Sequence, residues 1–102
     1  MSGTLVTNLR HYLNDDGELK EDIPSEARQM ASFLALIVDA TSAQSPEEFL
    51  ETGIRCRAAE CRGKILARVE KKSLEIHWEC PLCGHHGLIT NWQDTKWDLR
   101  PN

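Results

Sequence analysis

The pattern of apolar and polar positions divides the chain into a front part with helical spacing and a rear part with strand spacing. Near the start, apolar side chains recur at the spacing of one helix face, at Leu5, Leu9, Tyr12 and Leu13. This predicts a short amphipathic helix over residues 4–14. The same spacing returns after residue 25 in a broader apolar stripe, formed by Met30, Phe33, Leu34, Ile37, Val38 and Thr41. We expect a second helix there, with its stripe facing the core.

Two segments of the front part carry residues that favour helix starts. The hydroxyl of Ser25 can cap the free amides of the second helix. The segment Ser45-Pro46-Glu47-Glu48 has the form of a capping box, with proline in the first helical position. It predicts a third, short helix that runs to about Glu51.

The rear part alternates with the period of two that is typical of strands. Residues 64–70 and 74–79 alternate in this way, and the polar residues 71–73 between them are suited to a turn, so a hairpin is predicted. Residues 87–92 predict a third short strand.

These elements predict an α+β fold, with N-terminal helices followed by a small three-stranded antiparallel sheet. The change of texture near residue 53 suggests a division into two parts. We expect an acidic helical region at residues 1–53 and a module with a C-terminal tail at residues 54–102.

Composition places the chain among ordinary globular proteins. Its 40% hydrophobic and 27% charged residues do not indicate disorder or a fibrous class. No apolar run approaches the roughly 20 residues that a membrane-spanning helix needs. The first residues lack the basic and then apolar pattern of a secretory signal. We therefore expect a cytoplasmic protein.

The four cysteines form two close pairs, Cys56 with Cys61 and Cys80 with Cys83, separated by an 18-residue spacer. Structural zinc takes four ligands at the corners of a tetrahedron, and two pairs on facing turns can supply them. The spacer has the length of the predicted hairpin. In a reducing cytosol such pairs favour metal ligation over disulfides. The sequence therefore predicts one structural Zn²⁺ bound by all four cysteines.

The two pairs differ in how directly their spacing points to a metal. Cys80-Pro81-Leu82-Cys83 can form a tight turn, and Gly84 can adopt positive φ just beyond it. The pair Cys56 and Cys61 is wider. On an ideal helix these two side chains would point about 140° apart, so both can bind only if the segment forms a turn.

Several alternatives remain open at the level of sequence. Iron takes the same four thiolates, and disulfides or free thiols fit the same residues. A redox role for Cys80 and Cys83 needs a helix that begins at the pair, and residues 84–87 form a poor helix start. His85 or His86 can replace a cysteine as ligand, although an exposed turn position is the simpler interpretation. Four thiolate ligands leave no open position for activated water, so an enzyme is not expected.

The segment from Cys56 to Trp92 resembles the zinc-ribbon class, in which two cysteine turns hold zinc and lead into a three-stranded antiparallel sheet. The wider first pair departs from the common two-residue gap of that class. The whole chain is also similar to small uncharacterised bacterial zinc-ribbon proteins, through its acidic front and a tail of the form G-x-I-T-N-W-Q-x-T-x-W-D. This second resemblance implies a bacterial source and no particular activity.

The net charge of −4 is unevenly distributed, because residues 54–72 carry 7 basic and only 2 acidic side chains. A basic segment with aromatic residues near it raises the possibility of nucleic-acid binding. The candidate contacts are Arg68, Lys71, Lys72, Trp92 and Trp97. A simpler account is that Arg55, Arg57, Arg62 and Lys64 offset the net −2 charge of zinc with four thiolates. On the same account Arg68, Lys71 and Lys72 belong to a solvated hairpin turn, and the tryptophans close a small core.

The predicted function is that of a structural-zinc-binding, non-enzymatic adaptor that binds another protein, because four filled ligand positions accompany an acidic helical front. The alternative is a nucleic-acid-binding or transcription-associated zinc ribbon. Neither prediction includes a membrane or a small-molecule substrate.

Overall fold

The fold combines one α-helix, one short 3₁₀ helix and five strands within the residues that the computed structural model describes, which are 5–44, 46–58 and 60–100. In chain order the elements are β1 (Leu5–Asn8), the 3₁₀ helix (Leu9–Tyr12), α1 (Ser25–Ser42), β2 (Leu50–Arg55), β3 (Lys64–Val69), β4 (Ile76–Glu79) and β5 (His86–Thr90).

The strands form a single mixed sheet in the order β1-β5-β4-β3-β2. The pairs β2–β3, β3–β4 and β4–β5 are antiparallel, whereas β1 runs parallel to β5. The predicted fold class is therefore wrong. One helix in the middle of the chain replaces the expected N-terminal helices, and a five-stranded mixed sheet replaces the expected three-stranded antiparallel one.

The predicted hairpin and the strand after it form the centre of this sheet. Strands β3 and β4 are joined by a turn at residues 71–73, and β5 follows at His86–Thr90. The period-two pattern has the expected cause, since Ile65, Ala67 and Val69 are buried while the alternate positions of β3 are less so.

Helix α1 packs across one face of the sheet, as its apolar stripe predicts. Leu34, Ile37 and Val38 are fully buried in the same cluster as the inward side chains of β3, β4 and β5. The rings of Phe33 on α1 and Trp78 on β4 meet edge to face, with centroids 5.4 Å apart. The helix is thus attached to the strand that leads into the second cysteine pair.

The first predicted helix, over residues 4–14, begins at a residue outside the described part of the chain, and from Leu5 onward it is replaced by β1 and the 3₁₀ helix. The spacing of its apolar residues fits a helix, but Val6 and Thr7 are β-branched and favour extended backbone. Strand β5 offers an edge, and residues 5–8 pair along it from Leu5↔Gly87 to Asn8↔Thr90. Ladder hydrogen bonds along a sheet edge outweigh the weak intrinsic stability of a short isolated helix.

The third predicted helix, after the capping box, is also wrong. Ser45 lies outside the described residues, Pro46 to Phe49 form a loop, and Leu50 begins β2. The carbonyl of Pro46 accepts a hydrogen bond from the amide of Val69 at 2.9 Å. Because β3 presents an unpaired edge on this side, the segment satisfies that edge instead of forming a helix of one or two turns.

The segment after β5 returns to the helix and closes the core. Trp92 is fully buried, and its Nε1 donates to the carbonyl of Leu74 at 2.6 Å. Ser42 accepts a hydrogen bond from the amide of Leu99 at 2.8 Å through its Oγ. No helix within the described part of the chain is long and apolar enough to cross a membrane.

Candidate metal centre

Both cysteine pairs lie at the same end of the sheet. Cys56 follows β2 directly and Cys61 precedes β3, so the first pair lies in the β2–β3 connection. Cys80 follows β4 directly, so the second pair lies in the β4–β5 connection. Because each of the strands from β2 to β5 runs antiparallel to the next, these two connections lie at the same end of the sheet and face each other.

The four sulfur atoms form a compact cluster. All of them lie within 4.8 Å of one another. The Sγ atoms of Cys56 and Cys83 are 3.6 Å apart, as are those of Cys61 and Cys80. A zinc–sulfur distance of about 2.3 Å in a tetrahedron requires sulfurs about 3.8 Å apart. The cluster therefore has the dimensions of a four-thiolate metal site, and it can hold a metal ion.

The second pair is shaped by a tight turn. The amide of Cys80 donates to the carbonyl of His85 at 2.7 Å, and the amide of Gly84 donates back to the carbonyl of Cys80 at 2.9 Å. Gly84 has φ +84°, a conformation in which glycine carries no steric cost. The backbone amides of Leu82 and Cys83 donate to the Sγ of Cys80. This turn aims the thiol at its neighbours and surrounds it with donors.

The wider first pair is accommodated by a looser turn and not by a helix. The amide of Cys56 donates to the carbonyl of Gly63 at 2.9 Å, which closes the connection at its base. Among the described residues between the two cysteines, Glu60 adopts φ +62°, and the amide of Cys61 donates to the carbonyl of Ala58 at 3.0 Å. The amide of Ala58 lies 3.5 Å from the Sγ of Cys56, and the amide of Gly63 lies 3.4 Å from the Sγ of Cys61.

Gly63 is required by close packing against the cluster. A Cβ atom at this position would lie 2.5 Å from the Sγ of Cys80, 3.0 Å from the Cβ of Leu82 and 3.5 Å from the Sγ of Cys61. Two of these neighbours are cysteine sulfurs of the cluster. Sequence reasoning missed this role of Gly63; the position of the glycine between Cys61 and the first strand of the hairpin is the signal that points to it.

Burial and hydrogen bonding give the thiols different acidities. Burial raises the pKa of Cys56 to about 12. The Gly63 amide favours the thiolate of Cys61, but burial and the thiols of Cys80 and Cys83 oppose it, and the pKa of Cys61 is raised. Burial also opposes the thiolate of Cys80, yet the amides of Cys83 and Leu82 outweigh it and lower its pKa to about 7. A bound divalent cation would stabilise thiolates that otherwise keep their protons at neutral pH.

The histidines beside the second pair lie outside the cluster. His85 is exposed, and the Nδ1 of His86 lies 3.0 Å from the carbonyl oxygen of Gly84. Within the described residues, the group of side chains close enough to share a metal consists of the four cysteines. Three of these are buried and Cys83 is exposed.

The residues considered for nucleic-acid contact occupy different environments. Arg68 pairs with Glu70 at 3.2 Å, and its guanidinium lies 5.6 Å from the centre of the Phe49 ring. Lys71 pairs with Glu47 at 2.9 Å, while Lys72 is exposed in the same turn.

The two tryptophans of that set lie in the C-terminal segment. Trp92 is fully buried, so its ring faces are not available for stacking on a base in this conformation. Trp97 is partly buried against the core, with the Nζ of Lys96 5.1 Å from its ring centre.

Searches with this chain against protein-family models, curated proteins and solved structures gave no match. The resemblance to zinc ribbons stays a prediction from the cysteine motifs. The geometry supports a compact four-cysteine group that can hold a metal ion, commonly zinc.

Proposed function

We propose that the four cysteines hold one structural Zn²⁺, and that the protein is a non-enzymatic, zinc-stabilised adaptor that binds another protein. The observation that carries the metal part is the cluster itself. Four sulfurs from two separate turns lie within 4.8 Å of one another. Side chains 27 residues apart in sequence, Cys56 and Cys83, meet at 3.6 Å.

Zinc is the proposed metal because tetrahedral sites of four thiolates are its commonest structural sites. Iron is the competing metal, since it takes the same ligands. The proposal places the protein in a reducing cytoplasm, where thiols persist as ligands and do not pair as disulfides.

The non-enzymatic part is supported by the ligand set. Four thiolates fill the coordination sphere of zinc and leave no position for a water or a substrate. A structural zinc ion of this kind contributes to folding and fixes the two cysteine turns relative to each other. Helix α1 and the strand edges near the metal site are then the surfaces available to a partner.

One observation favours the alternative of nucleic-acid binding. Arg55, Arg62 and Lys64 line a shallow depression beside the β2–β3 connection. Like charges gathered on a surface attract phosphates, and such binding weakens steeply as salt concentration rises. Absence of DNA or RNA binding at low salt, measured by fluorescence anisotropy with the full chain, would remove this alternative.

Elemental analysis combined with native mass spectrometry tests the metal part. We expect one zinc per chain in protein purified without added metal. Substitution by Co²⁺ is expected to produce the visible absorption bands of tetrahedral thiolate coordination. A protein that contains no metal, or whose thermal unfolding is unchanged after chelation, would overturn the structural-zinc proposal.

Site-specific photocrosslinking in cells tests the adaptor part. A benzophenone amino acid is introduced one position at a time at exposed apolar residues, Val6, Leu36, Phe49 and Leu99. The adaptor proposal expects a reproducible protein adduct at one position or at neighbouring positions. Adducts with nucleic acid only, or none at any position, would contradict it.

A further inference from the structure

A groove lies between α1 and the outer side of β2. It has a volume of about 670 Å³. Its apolar lining comes from Phe33 and Leu36 on the helix and from Ile54 on the strand. Its basic lining comes from Arg28, Arg55 and Arg57. The groove thus combines an apolar floor with a rim of one sign of charge.

Part of the apolar floor, at Leu36 and Ile54, is open to solvent. Leu36 is 56% exposed, although its neighbours Ala35 and Ile37 are buried. Ile54 beside it is only partly buried. When an apolar side chain of a partner packs against Leu36 and Ile54, the exposed surface of both is removed from water. This burial of apolar surface favours binding.

The three arginines of the rim have no acidic partner within the described residues. The guanidinium of Arg57 lies 5.8 Å from the centre of the Phe33 ring, and its Nη1 is 3.3 Å from the Sδ of Met30. Arg28 donates to the backbone carbonyl of Glu21 at 2.6 Å. A thioether and a carbonyl carry no net charge, and the salt bridges of the described residues include neither of these arginines nor Arg55.

The metal centre does not account for these charges by direct contact. Apart from the contacts among the thiols themselves, the hydrogen bonds that the described residues give to the cysteine sulfurs come from the backbone amides of Ala58, Gly63, Leu82 and Cys83. The guanidinium of Arg57 is turned toward α1, although Arg57 follows Cys56 directly. Its charge is therefore presented at the groove, where a carboxylate can pair with it.

The outer edge of β2 is too irregular to accept a long added strand. The pairing register with β3 shifts between Glu51 and Arg55. Gly53 adopts φ +78° at this bulge, and the Oγ1 of Thr52 donates to the carbonyl of Ile65 at 2.8 Å. Bulges of this kind protect a sheet edge from continued pairing. A ligand of the groove is therefore recognised mainly through side chains.

We propose that this groove binds a short acidic segment of a partner protein, with one or two aliphatic or aromatic side chains placed between Asp or Glu residues. The apolar side chain lies against Leu36 and Ile54, and the carboxylates pair with Arg28, Arg55 and Arg57. This inference rests on the proposed adaptor function and names the chemistry of the partner. Nucleic acid fits less well, because the one aromatic ring of the lining, Phe33, is 7% exposed and lies beneath Arg57.

The test uses the zinc-loaded full chain and synthetic fluorescent peptides in an anisotropy titration. The probe peptides alternate Glu or Asp with Leu or Phe. One control series keeps the apolar residues and replaces each acid with Lys, and a second keeps the acids and replaces the apolar residues with Ser. A single-stranded oligonucleotide of equal charge forms the fourth arm. We expect at least tenfold tighter binding of the acidic-apolar series than of any other arm.

Two surface variants test the location. Arg55→Glu reverses one rim charge, and Leu36→Gln removes one apolar contact while it keeps a good helix former. Each is expected to weaken peptide binding about tenfold or more. The matched controls are Lys72→Glu, an exposed charge in the β3–β4 turn, and Leu99→Gln, an exposed apolar residue near the C-terminus. Both are expected to leave binding within about twofold of the unchanged protein.

Three outcomes would overturn the groove proposal. They are equal binding of all peptide series, loss of binding in the controls but not in Arg55→Glu and Leu36→Gln, and tighter binding of the oligonucleotide. Circular dichroism of every variant establishes that each is folded. Failure here is distinct from failure of the adaptor function. A protein crosslink at Leu99 or Val6 with none at Leu36 would retain the adaptor and reject the groove.

Discussion

At the scale of single residues, Gly63 is the position where the backbone of the first cysteine turn lies close to sulfurs from both cysteine pairs. A Cβ atom at this position would contact the sulfurs of Cys80 and Cys61, one from each pair, and the Cβ of Leu82. A side chain here therefore disturbs metal ligation and not only local packing.

We expect Gly63→Ala to lower the affinity for Zn²⁺ by about tenfold or more. The added methyl group would lie 2.5 Å from the Sγ of Cys80, so the sulfur must move away from its tetrahedral position. Competition with a chromophoric zinc chelator measures the change. Gly17→Ala is the control, because a Cβ at Gly17 meets nothing within 4 Å and therefore contacts no cysteine sulfur. Its positive φ predicts lower stability with unchanged zinc affinity. Unchanged affinity in Gly63→Ala would contradict the prediction.

Asp98 is a second residue with a specific role, in the segment that closes the core. Its carboxylate accepts hydrogen bonds from the side chain of Arg100, at 2.7 Å from Nη2, and from the amide of Asp94 at 2.8 Å. The Arg100 guanidinium holds the pKa of Asp98 at about 2, well below its usual range. The same guanidinium lies 4.9 Å from the centre of the Trp92 ring.

We expect Asp98→Asn to lower the free energy of unfolding by roughly 1–2 kcal/mol at neutral pH. A depressed folded-state pKa stabilises the protein above the unfolded pKa of about 3.9, and this contribution is lost as the pH falls toward about 2. The difference in the free energy of unfolding between Asp98→Asn and the unchanged protein should therefore be the same at pH values of about 7 and 5, as measured by urea titration. Asp39→Asn, at an exposed position of α1, is the control and should change stability little. A loss as large in Asp39→Asn would refute this account of Asp98.

At the scale of elements, α1 couples the metal end of the sheet to the C-terminal segment. Through Phe33 it contacts Trp78 on β4, two residues before Cys80. Through Ser42 it binds the backbone at Trp97 and Leu99. The helix therefore connects the two regions that close the core on either side.

We expect Ile37→Ala to lower the free energy of unfolding by about 2–5 kcal/mol, because Ile37 is fully buried and its loss leaves a cavity. Leu36→Ala is the matched control one residue earlier. Leu36 is 56% exposed, so we expect a change below about 1 kcal/mol. Urea unfolding followed by circular dichroism measures both. Equal costs at the two positions would mean that α1 does not pack on the sheet through the face described.

At the scale of the whole molecule, residues from both sides of position 53 contribute strands to one sheet. Strand β1 pairs with β5, and β2 pairs with β3 from Leu50 onward. The division into regions 1–53 and 54–102 stays a prediction about folding units. Zinc removal can test it, because the cysteines all belong to the second region.

We expect chelation of zinc to lower the melting temperature of the full chain and to leave a single transition, in which helical and tryptophan signals are lost together. The physical reason is that α1 packs on β3 and β4, whose ends carry the cysteine turns. Circular dichroism and fluorescence melts are compared with and without chelator. Two separate transitions, with the helical signal retained in the first, would support the division at residue 53 and contradict cooperative loss.

Zinc binding is expected to strengthen as the pH rises. The pKa of Cys56 is raised to about 12 by burial and that of Cys61 is also raised, so the metal-free protein keeps protons on these thiols at neutral pH. Zinc must displace them, and each proton released changes the apparent affinity about tenfold per pH unit. Calorimetry in buffers of different ionisation enthalpy counts the protons. Release of less than one proton at neutral pH would contradict the prediction.

Local signals in the sequence were sufficient for several features of the fold. The stripe of α1 predicted its position, and the alternation in residues 64–79 predicted the central hairpin. The spacing of Cys56, Cys61, Cys80 and Cys83 predicted that they would cluster, since a hairpin of known length returns one pair to the other. These features depend on short-range periodicity and on the length of chain between the cysteine pairs, both of which can be seen in the sequence alone.

The features that only the tertiary structure decided depend on partners distant in sequence. Residues 5–8 became a strand because β5 offers an edge more than 70 residues later, and residues 50–55 became one because β3 needed a partner. The groove of Phe33, Leu36 and the three arginines exists because α1 lies beside β2. The sequence by itself therefore determined the cysteine pairs, the helix and the hairpin. Sheet order, strand direction and the surface beside the metal centre came from long-range hydrogen bonding and packing, which outweigh weak local propensities in short segments.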